Sequence, residues 1–153
     1  MSIREDIDNK YKQSMKDQNS DITNTLRLVK SAIKDKDIAA RSNGNNEGIP
    51  DKEILGLLQN LVKQRKDSIE SFKTADRKDL IEKEEIEIKI INVFLPDQKD
   101  EGQTINLIEE IIKSNNLSSI KDMGKLMNIV KNDFSGQVDM GLVGKIAKSK
   151  LVN

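Results

Sequence analysis

Residues 51–74 form the longest amphipathic run in the chain, and they restrict its fold more than any other stretch. Ile54, Leu57, Leu58, Leu61, Val62, Ile69 and Phe72 recur at helical spacing behind Pro50, a residue suited to the first helical turn. At about 100° per residue, Arg65 falls in the middle of that apolar stripe. The next run, opened by Asp76, places Leu80, Ile81, Ile88, Ile91 and Leu95 on one face with Glu84 in its centre. An unpaired buried charge costs several kcal/mol, so the two helices are expected to double back and let Arg65 meet an acid, Glu84 first and Glu87 second. The rival is a catalytic Arg65–Glu84 pair facing a cleft, for which neither group is a natural base at neutral pH.

Upstream of this pair, Ile3, Ile7, Tyr11 and Met15 trace a helix from Ser2 to about Asp17. The polar break 17–21 offers several N-cap candidates. Ile22, Leu26, Val29 and Ile33 then share one helix face, while Arg27, Lys30 and Lys34 form a stripe well round from it, read as a solvated face. Arg41 to Gly48 reads as a polar loop. Downstream, Pro96 pushes Leu95 away from helical geometry and marks a boundary between residues 1–96 and 97–153. Beyond a polar connector containing Gly102, helices are expected from about Thr104 to Ser114, from Ile120 to Lys131 behind a Ser118 or Ser119 cap, and from Asp139 to near Leu151. The fold class is therefore all-α, a four-helix N-terminal subdomain followed by a three-helix C-terminal tail.

The sequence has no Cys and no His, which removes thiolate nucleophiles, imidazole bases, Cys/His zinc sites and Ser-His-Asp triads. No cofactor or metal is expected: the acids Glu82, Glu84, Glu85 and Glu87 sit all round a helix and lack loop geometry. The first residues are polar and charged with no apolar run behind them, so a soluble cytoplasmic protein is expected. Twenty-six basic and twenty-six acidic residues cancel, which argues against a chain that binds polyanions with its whole surface.

Charge is uneven, however. From Asn116 to Asn153 there are six lysines against three acids, and those acids, Asp122, Asp133 and Asp139, lie at or near helix starts. Asp122-Met123-Gly124 and Asp139-Met140-Gly141 echo one another, each with an Asp to cap a helix and a Gly to let it pack closely. A phosphate-contacting face is thus expected from Lys121, Lys125, Lys131, Lys145 and Lys148, with Asp122, Gly124, Asp139 and Gly141 as its supports. Phe134 is the only aromatic nearby, so backbone and shape rather than stacked bases would be recognised.

Six stretches, Leu26-Arg27-Leu28-Val29-Lys30-Ser31-Ala32-Ile33-Lys34, Lys63 to Phe72, Arg77-Lys78-Asp79-Leu80, Phe94-Leu95-Pro96 and the two Asp-Met-Gly segments, together resemble the GatB/YqeY family along nearly the whole chain. The resemblance implies a small helical protein related to the tail of the B subunit of the tRNA-dependent amidotransferase, a tail thought to grip tRNA while the chemistry belongs to a catalytic domain with no counterpart here. It departs from the family at Gln137, where an Arg is usual, and at Asn132-Asp133, where Pro-Lys is frequent, so weak tRNA binding is expected. The leading expectation is a non-catalytic module that contacts tRNA or acts with amidotransferase or other translation proteins. The alternatives are a protein-interaction adaptor with Met123, Met127 and Met140 lining apolar grooves between the subdomains, and the carbon–nitrogen ligase activity, with glutamine as amido-N-donor, that the family label would imply.

Overall fold

Three helices in this chain end where the backbone turns left-handed, and they do so in the same way. The computed structural model describes residues 2–152. Among these, every regular element is helical: α1 (Ile3–Lys16), α2 (Ser20–Arg41), α3 (Asp51–Thr74), α4 (Lys78–Asn92), α5 (Glu101–Ser114), α6 (Met123–Asp133) and α7 (Met140–Lys150), with a 3-10 turn at Ile120–Asp122. Gln18, Asp76 and Asn116, just beyond α1, α3 and α5, have φ of 55°, 53° and 53°. Each lets the next N–H reach back into the last turn, as in Asn19 N to Ser14 O at 2.9 Å, Arg77 N to Phe72 O at 2.9 Å and Leu117 N to Ile112 O at 3.0 Å. Asp76 therefore closes α3 and does not open α4, because a residue in the left-handed region cannot begin a right-handed helix.

The starts of α1, α2, α5 and α7 are set by side chains. Asn19 caps α2 by accepting from Ile22 N at 3.2 Å. α5 begins three residues earlier than its apolar pattern suggests, because Asp100 and Gln103 form a reciprocal capping box. Gly102 lies inside that first turn and not in a connector.

The described residues fall into two compact units that meet in the chain between Leu95 and Pro96. In the first unit Ile7, Leu26, Val29, Ile33, Ile49, Ile54, Leu58, Val62 and Ile91 form the core. The second unit is built around Ile108, Ile111, Leu117, Leu126, Val130, Val138, Val143, Ile146, Ala147 and Leu151.

Arg65 is met by Glu87, with Nε to Oε2 at 2.8 Å, while its Nη1 donates to the Leu61 carbonyl at 3.0 Å. The partner is the second of the two expected acids. Glu84 sits on the same helix but is not the one that pairs. The reason is register: α3 and α4 fold back about Asp76, and Arg65 and Glu87 are equally distant from it along the chain. Glu84 falls three residues short, about 4.5 Å along the axis. The pair's side chains are only 12% and 15% exposed. This places the charges in the packed seam between two helices, which favours a structural role over the rival catalytic one.

A second polar node joins three segments of the first unit, and the apolar pattern gives no hint of it. Arg4 of α1 grips Asp37 of α2 with both nitrogens of its fork, at 2.8 and 3.1 Å. The same Asp37 Oδ1 accepts from Ile49 N at 2.8 Å, and Arg4 Nη2 donates to Ile49 O at 3.2 Å. Gly48 makes this closeness possible: its φ is 96°, and a Cβ there would stand 2.9 Å from Arg4 Nη2 and 3.1 Å from Asp37 Oδ1. The Arg4 hydrogen bond, foremost among the causes, holds the Asp37 carboxyl below its usual range, and the Ile49 N–H adds to it.

Glu87→Gln should lower unfolding free energy by roughly 1.5–3 kcal/mol and Glu84→Gln by less than about 0.5 kcal/mol, read from urea melts. A carboxyl with a depressed folded pKa stabilises fully above the ordinary carboxylate range and loses that contribution as pH falls through its folded value. Asp37→Asn should therefore destabilise the chain at pH 7 by roughly 1.5–3 kcal/mol and show a smaller further loss on acidification than the parent, measured by melts at pH 7 and at low pH.

Candidate nucleic-acid interface

The two Asp-Met-Gly segments fold differently despite their likeness. Asp139 is the N-cap of α7 and accepts from Gly141 N at 2.9 Å and Leu142 N at 3.3 Å. Asp122 precedes α6 but makes no forward cap bond. Its carboxylate turns back to Ser118 N at 2.8 Å and Ser119 N at 3.3 Å, closing a box around the 3-10 turn. Those two N–H groups, Ser118 first, hold its pKa below the usual carboxylate range, with the Lys125 charge adding to them. The expected cap of α6 is thus a cap of the preceding turn, because Asp122 is the last residue of that turn and faces the N–H groups it leaves open.

Close helix packing at the glycines is not found. A Cβ on Gly124 would meet nothing within 4 Å, and one on Gly141 would approach only the neighbouring Asp139 carboxylate, at 3.2 Å. The glycine that the backbone does require is Gly136, with φ of 76° in the turn between α6 and α7.

All five candidate lysines are exposed. Lys145 and Lys148 are neighbours on the outer side of α7, opposite the buried Val143, Ile146 and Ala147. Lys125 and Lys131 flank the outer side of α6, about 120° apart, with Leu126 and Val130 buried behind them. Lys121 stands on the 3-10 turn. Each of the five lysines is thus exposed on its own element, away from the buried core residues. Lys150 is spent on Glu109 at 2.7 Å.

One further cation belongs with this surface, and its place in the sequence hides it. Lys99, in the connector before α5, donates its backbone N–H to Gln137 O at 2.7 Å and holds Nζ 5.9 Å from the centre of the Phe134 ring. It therefore stands beside the turn that carries Gln137. Only a pairing between residues nearly forty apart reveals this. Met123, Met127 and Met140 are partly buried and pack against the core of the second unit.

Comparison with known proteins adds an independent finding. The family described as Yqey-like protein matches residues 4–151. Altered inheritance of mitochondria protein 41, mitochondrial, of Lachancea thermotolerans is 36% identical over 107 residues, covering 66% of this chain and 55% of that protein. The protein of the same name in Saccharomyces cerevisiae is 28% identical over 114 residues, covering 74% of this chain and 58% of its own length. An uncharacterized protein of Schizosaccharomyces pombe is 35% identical over 92 residues, covering 60% of this chain and 70% of that protein. The chain thus spans little more than half of the two relatives with the mitochondrial name. That name overturns the expected cytoplasmic location, which rested on the polarity of the first residues alone.

Asp139→Ala should cost roughly 0.5–2 kcal/mol of stability through removal of the cap. Gly124→Ala, a methyl added in open helical space, should instead gain up to about 1 kcal/mol. Thermal melts of the two variants separate capping from packing.

Proposed function

The chain belongs to the Yqey-like protein family, and on that premise we propose that it is a non-catalytic helical module whose second unit contacts folded tRNA through phosphate. The observation that carries this reading is the outward display of Lys121, Lys125, Lys131, Lys145 and Lys148, with two of the three nearby acids, Asp122 and Asp139, turned to backbone N–H groups. The third, Asp133, expected near a helix start, instead ends α6 just after Lys131. The Asp122 and Asp139 carboxylates are engaged at helix starts, and the lysines keep their charge for a polyanion. Lys99 adds a cation beside the α6–α7 turn.

The working division is into a four-helix part, 1–96, and a three-helix tail, 97–153. The two compact units on either side of the Leu95–Pro96 junction support it. In this reading the module acts with the amidotransferase or with other translation proteins, in the mitochondrial setting that the relatives' names carry. Carbon–nitrogen ligase chemistry finds little support in the residues, since the sequence lacks His, Cys and a Gly-rich Lys-Ser/Thr phosphate loop.

Replacing the five lysines by Ala should abolish most binding to folded tRNA at low salt. It should also lower the slope of log affinity against log salt by about 0.7–0.9 for each phosphate that is no longer neutralised. A parent chain that does not bind tRNA at low salt, or a variant that binds as tightly as the parent, ends the proposal.

A further inference from the structure

The stripe Arg27, Lys30 and Lys34, expected as an ordinary solvated face, is longer and better organised than its sequence spacing suggests. At about 100° per residue, Arg27, Lys30, Lys34 and Arg41 fall within an arc of about 60° on α2, roughly 100° round from Leu26, Val29 and Ile33. The line runs for about 21 Å. Asp21 and Asp35 lie about 150° and 110° from the middle of that arc, with Asp35 about 80° round from Arg27. Asp37 is the one acid of α2 beside the line, and Arg4 and the Ile49 N–H already occupy it.

Alongside the stripe, α1 and α2 border an open groove of about 450 Å³, whose polar lining is Arg4, Asp8, Lys30, Ser31, Lys34 and Asp37, with the core residues Ile7 and Ile33 completing it. Asp8, its other acid, is bound to Lys30 at 2.8 Å. Lys30 also stands 4.6 Å from the centre of the Tyr11 ring, covering the one aromatic side chain close by. Both carboxylates are thus neutralised from within the fold, while Arg27, Lys34 and Arg41 remain exposed. The surplus is positive, linear and without a free aromatic face. This suits a phosphate backbone held by Arg forks and Lys point charges, and not stacked bases.

We propose that this α1–α2 groove with its α2 stripe is a second RNA-backbone contact surface, in the first unit and separate from the tail lysines. The proposal extends the RNA reading above and rests on it. The full-length chain is titrated with folded tRNA over a range of salt. Its variants are the triple substitution Arg27→Gln, Lys34→Gln and Arg41→Gln, and the five-lysine tail substitution. None of the three stripe positions is buried, and helical circular dichroism and melts check that each variant folds.

The stripe variant should bind tRNA about tenfold more weakly at low salt, with a salt slope lower by about 2–3 units. A stripe variant that binds like the parent overturns the groove proposal whatever the tail variant does. Weakened binding in the stripe variant alone keeps the groove and overturns the tail reading. Polyglutamate is the control polyanion: if it binds the parent as tightly as tRNA does, and is weakened as much in the stripe variant, the surface takes acidic polypeptide and the RNA assignment falls.

Discussion

The first unit depends on a single carboxylate. Asp37 ties α2 to α1 through Arg4 and to the entry of α3 through the Ile49 N–H, so one acid fixes the relation of three helices and the loop between two of them. Apolar burial supplies most of the driving force but is non-directional, and helices with one narrow stripe can slide or rotate at small cost. A bidentate Arg–carboxylate contact has a definite geometry, and it selects one arrangement among those that burial would tolerate. Gly48 belongs to the same device, since any side chain there would strike both members of the pair.

Arg65 and Glu87 do similar work between α3 and α4. In both places ions enter the seams between helices because the chain is as rich in charge as in apolar residues, at 34% charged and 35% hydrophobic. Stripes this narrow bring charged residues to the edge of the core, where each needs a partner. The acids that help hold the fold are for the most part engaged, either by an Arg in a seam or by backbone N–H groups at a helix start. Cations are left over on outer faces. Net charge near zero therefore conceals local surfaces of positive sign, on α6 and α7 in the second unit and along α2 in the first.

Much of this is legible in the residues. The apolar spacing of 51–74 defines α3 with both ends in place, and the mid-stripe position of Arg65 points to a buried ion pair. The candidate lysines are legible as exposed because they alternate with Leu126, Val130, Val143 and Ile146 at helical spacing. Local hydrogen bonds are harder to read. Asp122 and Asp139 begin the same tripeptide, yet one bonds backward and the other forward, because what precedes each Asp decides which N–H groups stand open. Lys99 escapes a reading of the sequence for a different reason: it reaches the Gln137 turn only through folding.

By itself the sequence determined that the chain is helical, where most helices lie, which faces are apolar and which charges must find partners. These follow from periodicity and from the cost of burying an ion, both of which act within a segment or on a single residue. Tertiary structure alone decided that Arg65 pairs with Glu87, since the register of α3 on α4 is set by where the turn at Asp76 falls. It also decided that Asp37 joins Arg4 to Ile49, that Lys99 stands at the Gln137 turn, and which cations remain free to meet a partner. Each of these is a contact between residues distant in the chain, and their distance in space is fixed only when the helices have packed.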